Sequence, residues 1–267
     1  MILFPNAKIN IGLQITGKRP DGFHDIETIF YPVTVKDALE IISSDTFHFK
    51  VTGNALIDVH TNSSVKAWQL LRNDFPSISE INMHLHKNIP SGAGLGGGSA
   101  DAAFCLQLLN TKYELGLSRS RLLGYALQLG SDCPFFIINT PCYATGRGEK
   151  LDEINLDLSA YRILIVYPGI HINTAEAFSE INKFSATNLL KEFVSNPVET
   201  WKNNIINDFE EPVFRSHPSI KGLKNKLYEH GALYASMSGS GSTVFGIFSK
   251  NAEPKINFPA NYFFNWV

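Results

Sequence analysis

The stretch that most constrains this chain runs from Ile89 to Leu109, IPSGAGLGGGSADAAFCLQLL. Gly92, Gly94, Gly96, Gly97 and Gly98 crowd into a short segment that ends at Ser99, where an Ala- and Leu-rich helical pattern begins. Glycine admits left-handed backbone and lets a ligand approach closely. A helix start adds unpaired N–H groups and the positive end of the macrodipole. Together they predict an anion cradle, most often for phosphate. Ser99 is expected at the N-cap, with its hydroxyl also within reach of a metal bound to the phosphates. A flexible linker would not run straight into a helix with a capping serine.

Several phosphate loops are excluded. No Gly-Lys-Ser/Thr closes this one, so it is not a Walker A loop. Gly92, Gly94 and Gly97 satisfy G-x-G-x-x-G, but a dinucleotide fold wants a buried strand leading directly into the glycines. Here Ile81 to His86 alternate apolar and polar, and Lys87 to Pro90 intervene. That alternation predicts a sheet with one solvated face. The H-R-D and D-F-G motifs of protein kinases are missing. The net charge of -2 gives no electrostatic support for binding nucleic acid or an anionic membrane. No run approaches ~20 apolar residues, so no membrane helix is expected. The opening MILFPNAKIN has neither a basic region nor a long apolar core, so no signal peptide is expected. Cys105, Cys133 and Cys142 are odd in number and lack metal-ligand spacing, as reduced, buried thiols of a cytoplasmic protein would. The 267 residues suffice for one large domain or two modest ones.

Along the chain, Lys8 to Ile15 alternate and predict a strand, with Ile9, Ile11, Leu13 and Ile15 on one face and Lys8 and Asn10 on the other. Gly17 to Gly22 signal a turn, and a second strand follows through Ile26, Ile29 and Tyr31. The hairpin is expected to bring Phe23 and His24 near the Lys8–Asn10 strand. Read alone, Lys8 is a solvated strand residue and His24 a turn histidine. Residues 37–60 read as further strands broken at Gly53. A helix is expected from Asn62 to Phe75, with Asn62 suited to its N-cap. Another spans Ser118 to Leu129 and ends at Gly130. Asp132, just before Pro134, reads alone as a cap. Cys142 to Leu151 form strand, turn and strand. Tyr161 to Pro168 open the second half as an apolar strand. Thr174 then reads as a helix cap and Phe178 as a core aromatic. Residues 183–230 are helical in composition. Ala232 to Phe248 read as strand, glycine turn and strand, where Gly239 and Gly241 make either a second anion-binding concavity or an ordinary hairpin turn.

The sequence P-S-G-A-G-L-G-G-G-S-A-D-A-A resembles the phosphate loop of the GHMP kinases, the family of galactokinase, homoserine kinase and mevalonate kinase. The opening F-P-N-A-K-I-N-I-G-L-Q-I-T-G-K-R-P-D-G-F-H-D-I-E-T-I-F is similar to one branch of that family. This branch phosphorylates a cytidine diphosphate derivative of methylerythritol on the non-mevalonate route to isoprenoids. The segment G-S-D-C-P-F-F resembles the family's catalytic aspartate segment, and S-G-S-G its third motif. Two departures stand out: Phe23 where tyrosine is usual, and Ser238 where threonine is common.

The resemblance implies an α+β chain with the two-domain GHMP kinase fold. An N-terminal ribosomal-protein S5 domain 2-like α/β domain (1–158) would precede a C-terminal ferredoxin-like α+β domain (159–267), with substrate in the cleft between them. ATP would be held by Asn62 at the adenine and by Pro90, Ser91, Gly92, Ala93, Gly94, Leu95, Gly96, Gly97, Gly98, Ser99 and Ala100 at the phosphates. Mg²⁺ would bridge those phosphates, with Ser99 as a ligand. Asp132 would take the proton of the substrate hydroxyl, and Lys8 would sit beside it and stabilise the transferring phosphoryl. Asn10, Phe23, His24, Thr174, Phe178, Gly239 and Ser240 would bind the small-molecule substrate, with Phe23 and Phe178 sandwiching the cytosine. No nucleic acid or membrane partner is implied, and the chain would be a cytoplasmic monomer or homodimer. Two other readings remain open here: another GHMP small-molecule kinase, of homoserine or mevalonate type, and a catalytically silent ATP-binding sensor.

Overall fold

The computed structural model describes residues 1–53, 59, 61–181, 184–185 and 189–267. The strand reading of 54–58 and 60, and the helical reading of 183 and 186–188, lie outside the described residues. The N-terminal elements in order are β1 (Ile2–Leu3), β2 (Asn6–Lys18), β3 (His24–Lys36), β4 (Ala38–Ser43), β5 (His48–Gly53), α1 (Ser63–Asp74), β6 (Ile81–Lys87), α2 (Gly97–Lys112), α3 (Arg119–Leu129) and α4 (Cys133–Ile138). There follow β7 (Cys142–Thr145), β8 (Lys150–Glu153), β9 (Tyr161–Tyr167), α5 (Thr174–Ser179), α6 (Leu189–Phe193), a 3₁₀ turn (Val198–Asn203), α7 (Glu210–Ser216), α8 (Pro218–Glu229), β10 (Tyr234–Met237), β11 (Val244–Ser249) and β12 (Phe263–Trp266). The chain forms two compact units. The first holds Met1–Ala7, Thr34–Ser91 and Gly96–Asn139; the second holds Lys8–Val33, Gly92–Leu95 and Thr140–Val267.

The first unit is built on a sheet of order β1-β4-β6-β5. Its centre is β6, antiparallel to β4 (Leu39 opposite Leu85, Ile41 opposite Met83) and parallel to β5 (Val51 opposite Leu85). The alternation read from the sequence holds: Ile81, Met83, Leu85 and Lys87 are buried and the residues between them are not. Helix α1 connects β5 to β6 and is capped by Asn62, whose Oδ1 accepts from the amides of Ser64 (2.9 Å) and Val65 (3.3 Å). Helix α2 is apolar nearly all round, with Ala100, Ala102, Ala103, Cys105, Leu106, Leu108 and Leu109 buried. Such a helix belongs inside, and α1, α3, α4 and β4 pack against it.

The second unit carries two sheets, of order β2-β3-β7-β8 and β10-β11-β9-β12. In the latter every pairing is antiparallel. Its strands, numbered in their own chain order, run 2-3-1-4, the order of a ferredoxin-like sheet. Leu13 and Ile15 of β2 join Leu164 and Val166 of β9, Val213 of α7, Ile220 and Leu227 of α8, Met237 and Phe248 in one buried cluster. Strand β2 is buried on both faces from Asn6 to Ile15.

Candidate active site

The glycine segment is a loop that opens α2, as expected, but the residue at the helix mouth is not Ser99. Helix α2 begins at Gly97, and its N-cap is Gly96 in the left-handed conformation (φ 71°) with no side-chain cap. Ser99 therefore lies inside the first turn of α2. Gly97 is helical rather than left-handed; what requires glycine there is space, since an added Cβ would lie 2.9 Å from Ile89 Cγ2. At Gly94 both demands meet: φ is +79°, and a Cβ would fall 2.1 Å from the Ser238 carbonyl oxygen. The loop carbonyls are tied down in turn. Ala93 O accepts from Thr243 N (3.2 Å), Gly94 O from Ser238 Oγ (2.8 Å) and Leu95 O from Lys8 N (3.0 Å). With the carbonyls engaged and the first-turn amides of α2 lacking helical partners, the loop presents donors to an anion. These are the features a triphosphate needs.

Lys8 is not solvated. It is 3% exposed, its Nζ donates to Asn10 Oδ1 (2.5 Å) and stands 5.0 Å from the Phe30 ring centre. Lys8 and Asn10 share a strand face as read, but burial of both faces of β2 turns that face inward. Asn10 Nδ2 donates to Thr28 Oγ1 (3.0 Å), and the Asn10 amide donates to Ser238 Oγ (3.1 Å). Ser238 thus joins β2 to the glycine loop. Neighbouring Gly239 (φ 58°) is pinned by Asn207, whose Nδ2 donates to the carbonyls of Met237 (2.8 Å) and Gly239 (2.9 Å). Asp132 stands at the N-terminal boundary of α4 with φ −82° and no side-chain cap bond. The plain capping reading of Asp132 is therefore not realised, whereas that of Asn62 is.

The remaining predicted residues pair among themselves. Thr174 is the first residue of α5 rather than its cap, a role Asn173 fills. Thr174 Oγ1 instead meets Ser240 Oγ at 2.9 Å. His24 stacks on Phe178 (centroids 4.7 Å apart, interplanar angle 11°), and the edge of Phe209 meets the same ring (4.8 Å). Burial and then the charge of Lys18 lower the His24 imidazole below its ordinary value, favouring the neutral form. Phe23 is 50% exposed and stacks not against Phe178 but under the Arg147 guanidinium, 3.8 Å from the ring centre. Arg147 thus covers Phe23 and His24 covers Phe178, where the resemblance has a cytosine between the two rings. Phe23 also lies at the hairpin turn, its carbonyl accepting from Arg19 N (2.8 Å), and so far along β2 from Lys8 rather than beside it.

Sequence reasoning missed a buried triad. Lys87 Nζ donates to Asp37 and, at 2.6 Å, to Asp101 Oδ2, with all three side chains 2% exposed or less. The signal was present: Lys87 falls on the inward positions of the alternating β6.

This geometry fits a phosphate-transferring fold, and comparisons agree. The model of the GHMP kinase N-terminal domain matches residues 62–140, and that of the GHMP kinase C-terminal domain matches 189–257. The chain belongs to the GHMP kinase family. It is 47% identical over 270 residues to the 4-diphosphocytidyl-2-C-methyl-D-erythritol kinase of Bacteroides fragilis, covering 99% of this chain and 98% of that one. With the like-named kinase of Parabacteroides distasonis it shares 49% over 251 residues, 94% of this chain and 92% of that. A crystal structure of 4-(cytidine 5'-diphospho)-2C-methyl-D-erythritol kinase superposes with a TM-score of 0.80 at 28% identity, covering 92% and 90% of the two chains. Mevalonate kinase from Methanococcus jannaschii has the same fold, with a TM-score of 0.70 at 14% identity over 94% and 92%.

Proposed function

We infer that this chain transfers the terminal phosphoryl of ATP to the 2-hydroxyl of 4-diphosphocytidyl-2-C-methyl-D-erythritol, a step of the non-mevalonate route to isoprenoids. The full-length relatives at 45–49% identity carry the choice of substrate. The loop geometry carries the choice of reaction: left-handed Gly96 opens α2 while the carbonyls of Ala93, Gly94 and Leu95 are held away.

Phosphoryl transfer needs positioning, charge neutralisation and an oriented nucleophile. The loop amides hold the phosphates. Asp132, at the N-terminal boundary of α4, accepts the proton of the attacking hydroxyl. Lys8, buried and held by Asn10, lends a fixed positive charge as phosphoryl charge develops. Asn10 orients the polyol. His24, Phe178, Thr174 and Ser240 supply the neutral ring, stacking face and hydroxyls for the cytidine end.

The donor set at Ser99 is one hydroxyl, and the described residues hold no cluster of His, Cys, Asp or Glu that could hold a metal. Ser99 would supply the protein ligand for Mg²⁺, the nucleotide phosphates supplying others. Mg²⁺ supplies charge neutralisation across the phosphates when bound. No helix among the described residues is long and apolar enough to cross a membrane, and three buried free cysteines suit a reducing, cytoplasmic setting. The division at 158/159 is our reading of domain order; the two family matches fall on either side of it.

The test is a coupled ADP-release assay with the cytidine substrate beside homoserine and mevalonate. Turnover with the cytidine substrate alone is expected. Turnover only with another alcohol would move the chain to a different branch. Nucleotide binding without turnover of any would make it a sensor.

A further inference from the structure

The turn between β10 and β11 is gripped by one short segment, Asn207 to Glu210. Asn207 is 3% exposed, and its Nδ2 donates to the carbonyls of Met237 (2.8 Å) and Gly239 (2.9 Å), the residues on either side of Ser238. Its Oδ1 accepts from the Phe209 amide (3.0 Å). Both polar atoms of the side chain are therefore in use. Glu210 completes the grip: its Oε1 accepts from the Met237 amide (2.9 Å) and from Ser236 Oγ (3.1 Å), while Lys224 bonds its other oxygen (2.6 Å).

The same segment is fixed to the strand that carries Lys8 and Asn10. Leu13 N donates to Ile206 O (3.0 Å) and Asp208 N donates to Leu13 O (2.8 Å), so Asn207 lies beside β2 in a parallel bridge. Asp208 Oδ2 accepts from the Ile15 amide (2.7 Å). From the turn, Ser238 Oγ returns to β2 by accepting from the Asn10 amide (3.1 Å), and it reaches the glycine loop by donating to Gly94 O (2.8 Å). The circuit is closed: β2 to Asn207, Asn207 to the turn, and Ser238 back to β2. A satisfied buried network of this kind rigidifies what it joins.

Ser238 stands where the circuit meets the glycine loop. A Cβ on Gly94 would fall 2.1 Å from Ser238 O, and a Cβ on Gly239 (φ 58°) would lie 3.5 Å from Gly94 Cα. The two backbones touch, so the position of the turn sets the position of the loop.

We propose that Asn207 is a positioning residue for phosphoryl transfer: acting through Ser238, it holds the phosphate loop and the Lys8–Asn10 strand in one fixed relation. This rests on the kinase reading above. Asn207 is buried, and it reaches the ligands only through the turn. The arrangement also dictates the residue type. Aspartate has the shape but no donor, and would set a carboxylate against two carbonyls. Glutamine carries the same groups on a longer stem, which a close-packed site does not take without strain. Catalytic groups act only from their productive positions, and a misplacement of about 1 Å can cost about a hundredfold.

The experiment is a double-variant cycle on the whole enzyme, read as calorimetric affinity for a non-hydrolysable ATP analogue, turnover by ADP release and thermal midpoint. Asn207→Asp and Ser238→Ala are each expected to weaken analogue affinity about tenfold, as loss of one buried hydrogen bond would, and to lower kcat. The double variant is expected to lose about tenfold as well, because both changes cut the same link. Independent losses would multiply to about a hundredfold, and that outcome overturns the proposal. Val213→Ala, in the core cluster beside the segment, separates positioning from stability. It should lower the thermal midpoint and leave analogue affinity within about twofold of the parent. Equal loss of affinity from Val213→Ala and Asn207→Asp overturns the proposal, since loosening alone would then suffice. If Asn207→Asp does not fold, Asn207→Ala, which introduces no charge, takes its place in the cycle. Parent affinity and turnover in Ser238→Ala overturn the proposal by themselves. A parent that binds no analogue overturns the kinase reading; a binding parent beside an unaffected Asn207→Asp overturns this proposal alone.

Discussion

The glycine loop and the tip of the β2–β3 hairpin are both turns, yet one is held from every side and the other stands open. In the loop, Ala93 and Leu95 are 1% exposed and three successive carbonyls are bonded. At the tip, Phe23 is half exposed, and Arg19 pairs with Asp21 (3.1 Å) and Asp25 (3.0 Å) in partly exposed ion pairs, which are worth little in water. The difference follows from what each must recognise. Phosphates are bound by backbone dipoles, which help transition-state charge only if already fixed in place. A particular substrate is recognised by side chains, which a turn can display without disturbing the core.

The strongest way to break this contrast is Asp132→Asn. The amide fills the same space but cannot accept the proton, so turnover should fall roughly 10²–10⁴-fold. The thermal midpoint and ATP-analogue affinity should hold. Turnover within about threefold of the parent in the ADP-release assay would remove Asp132 from the base role.

Next in size is Lys8→Met. Loss of one preorganised donor should cost about 10²–10³ in kcat, with a smaller loss of ATP affinity because the charge matters most as the phosphoryl transfers. Weakened ATP binding with unchanged saturated turnover would make Lys8 a ground-state contact.

Phe23→Ala sharpens the comparison from the open side. Base stacking on an aromatic ring is worth about 1–3 kcal/mol, so affinity for the cytidine substrate should drop roughly 5- to 150-fold. ATP affinity should not move, and Phe23→Tyr should be near neutral. Because Phe23 is half exposed, equal loss for both ligands would contradict its place outside the core.

The smallest effect is expected for Gly94→Ala. A left-handed conformation costs a non-glycine residue roughly 1–2 kcal/mol, and the new methyl meets the Ser238 carbonyl. Affinity for an ATP analogue should fall about tenfold, while the cytidine substrate binds as before. Unchanged ATP affinity would show the loop to be as adaptable as the hairpin tip.

Much of this was legible in the residues, because the signals are local. Alternation marked β6 and β2, Gly130 marked the end of α3, and the run of glycines before an apolar helix marked the phosphate cradle. Ser99 was misplaced by one turn because glycine can itself serve as a cap when left-handed, and five neighbouring glycines do not say which one does. Lys8 looked solvated because alternation assigns a face without saying what covers it.

The residues by themselves determined the family, the phosphate loop, the secondary elements around it and the polar types available for chemistry, since periodicity and glycine spacing are properties of short segments. Only the tertiary structure decided that Lys87, Asp37 and Asp101 meet, that Ser238 locks Gly94 to Asn10, and that Phe23 lies under Arg147 while Phe178 takes His24. These partners lie from 14 to 228 positions apart along the chain. Contacts of that range depend on how buried strands and helices stack, and no pattern within a single segment encodes which side chain will be waiting on the other side.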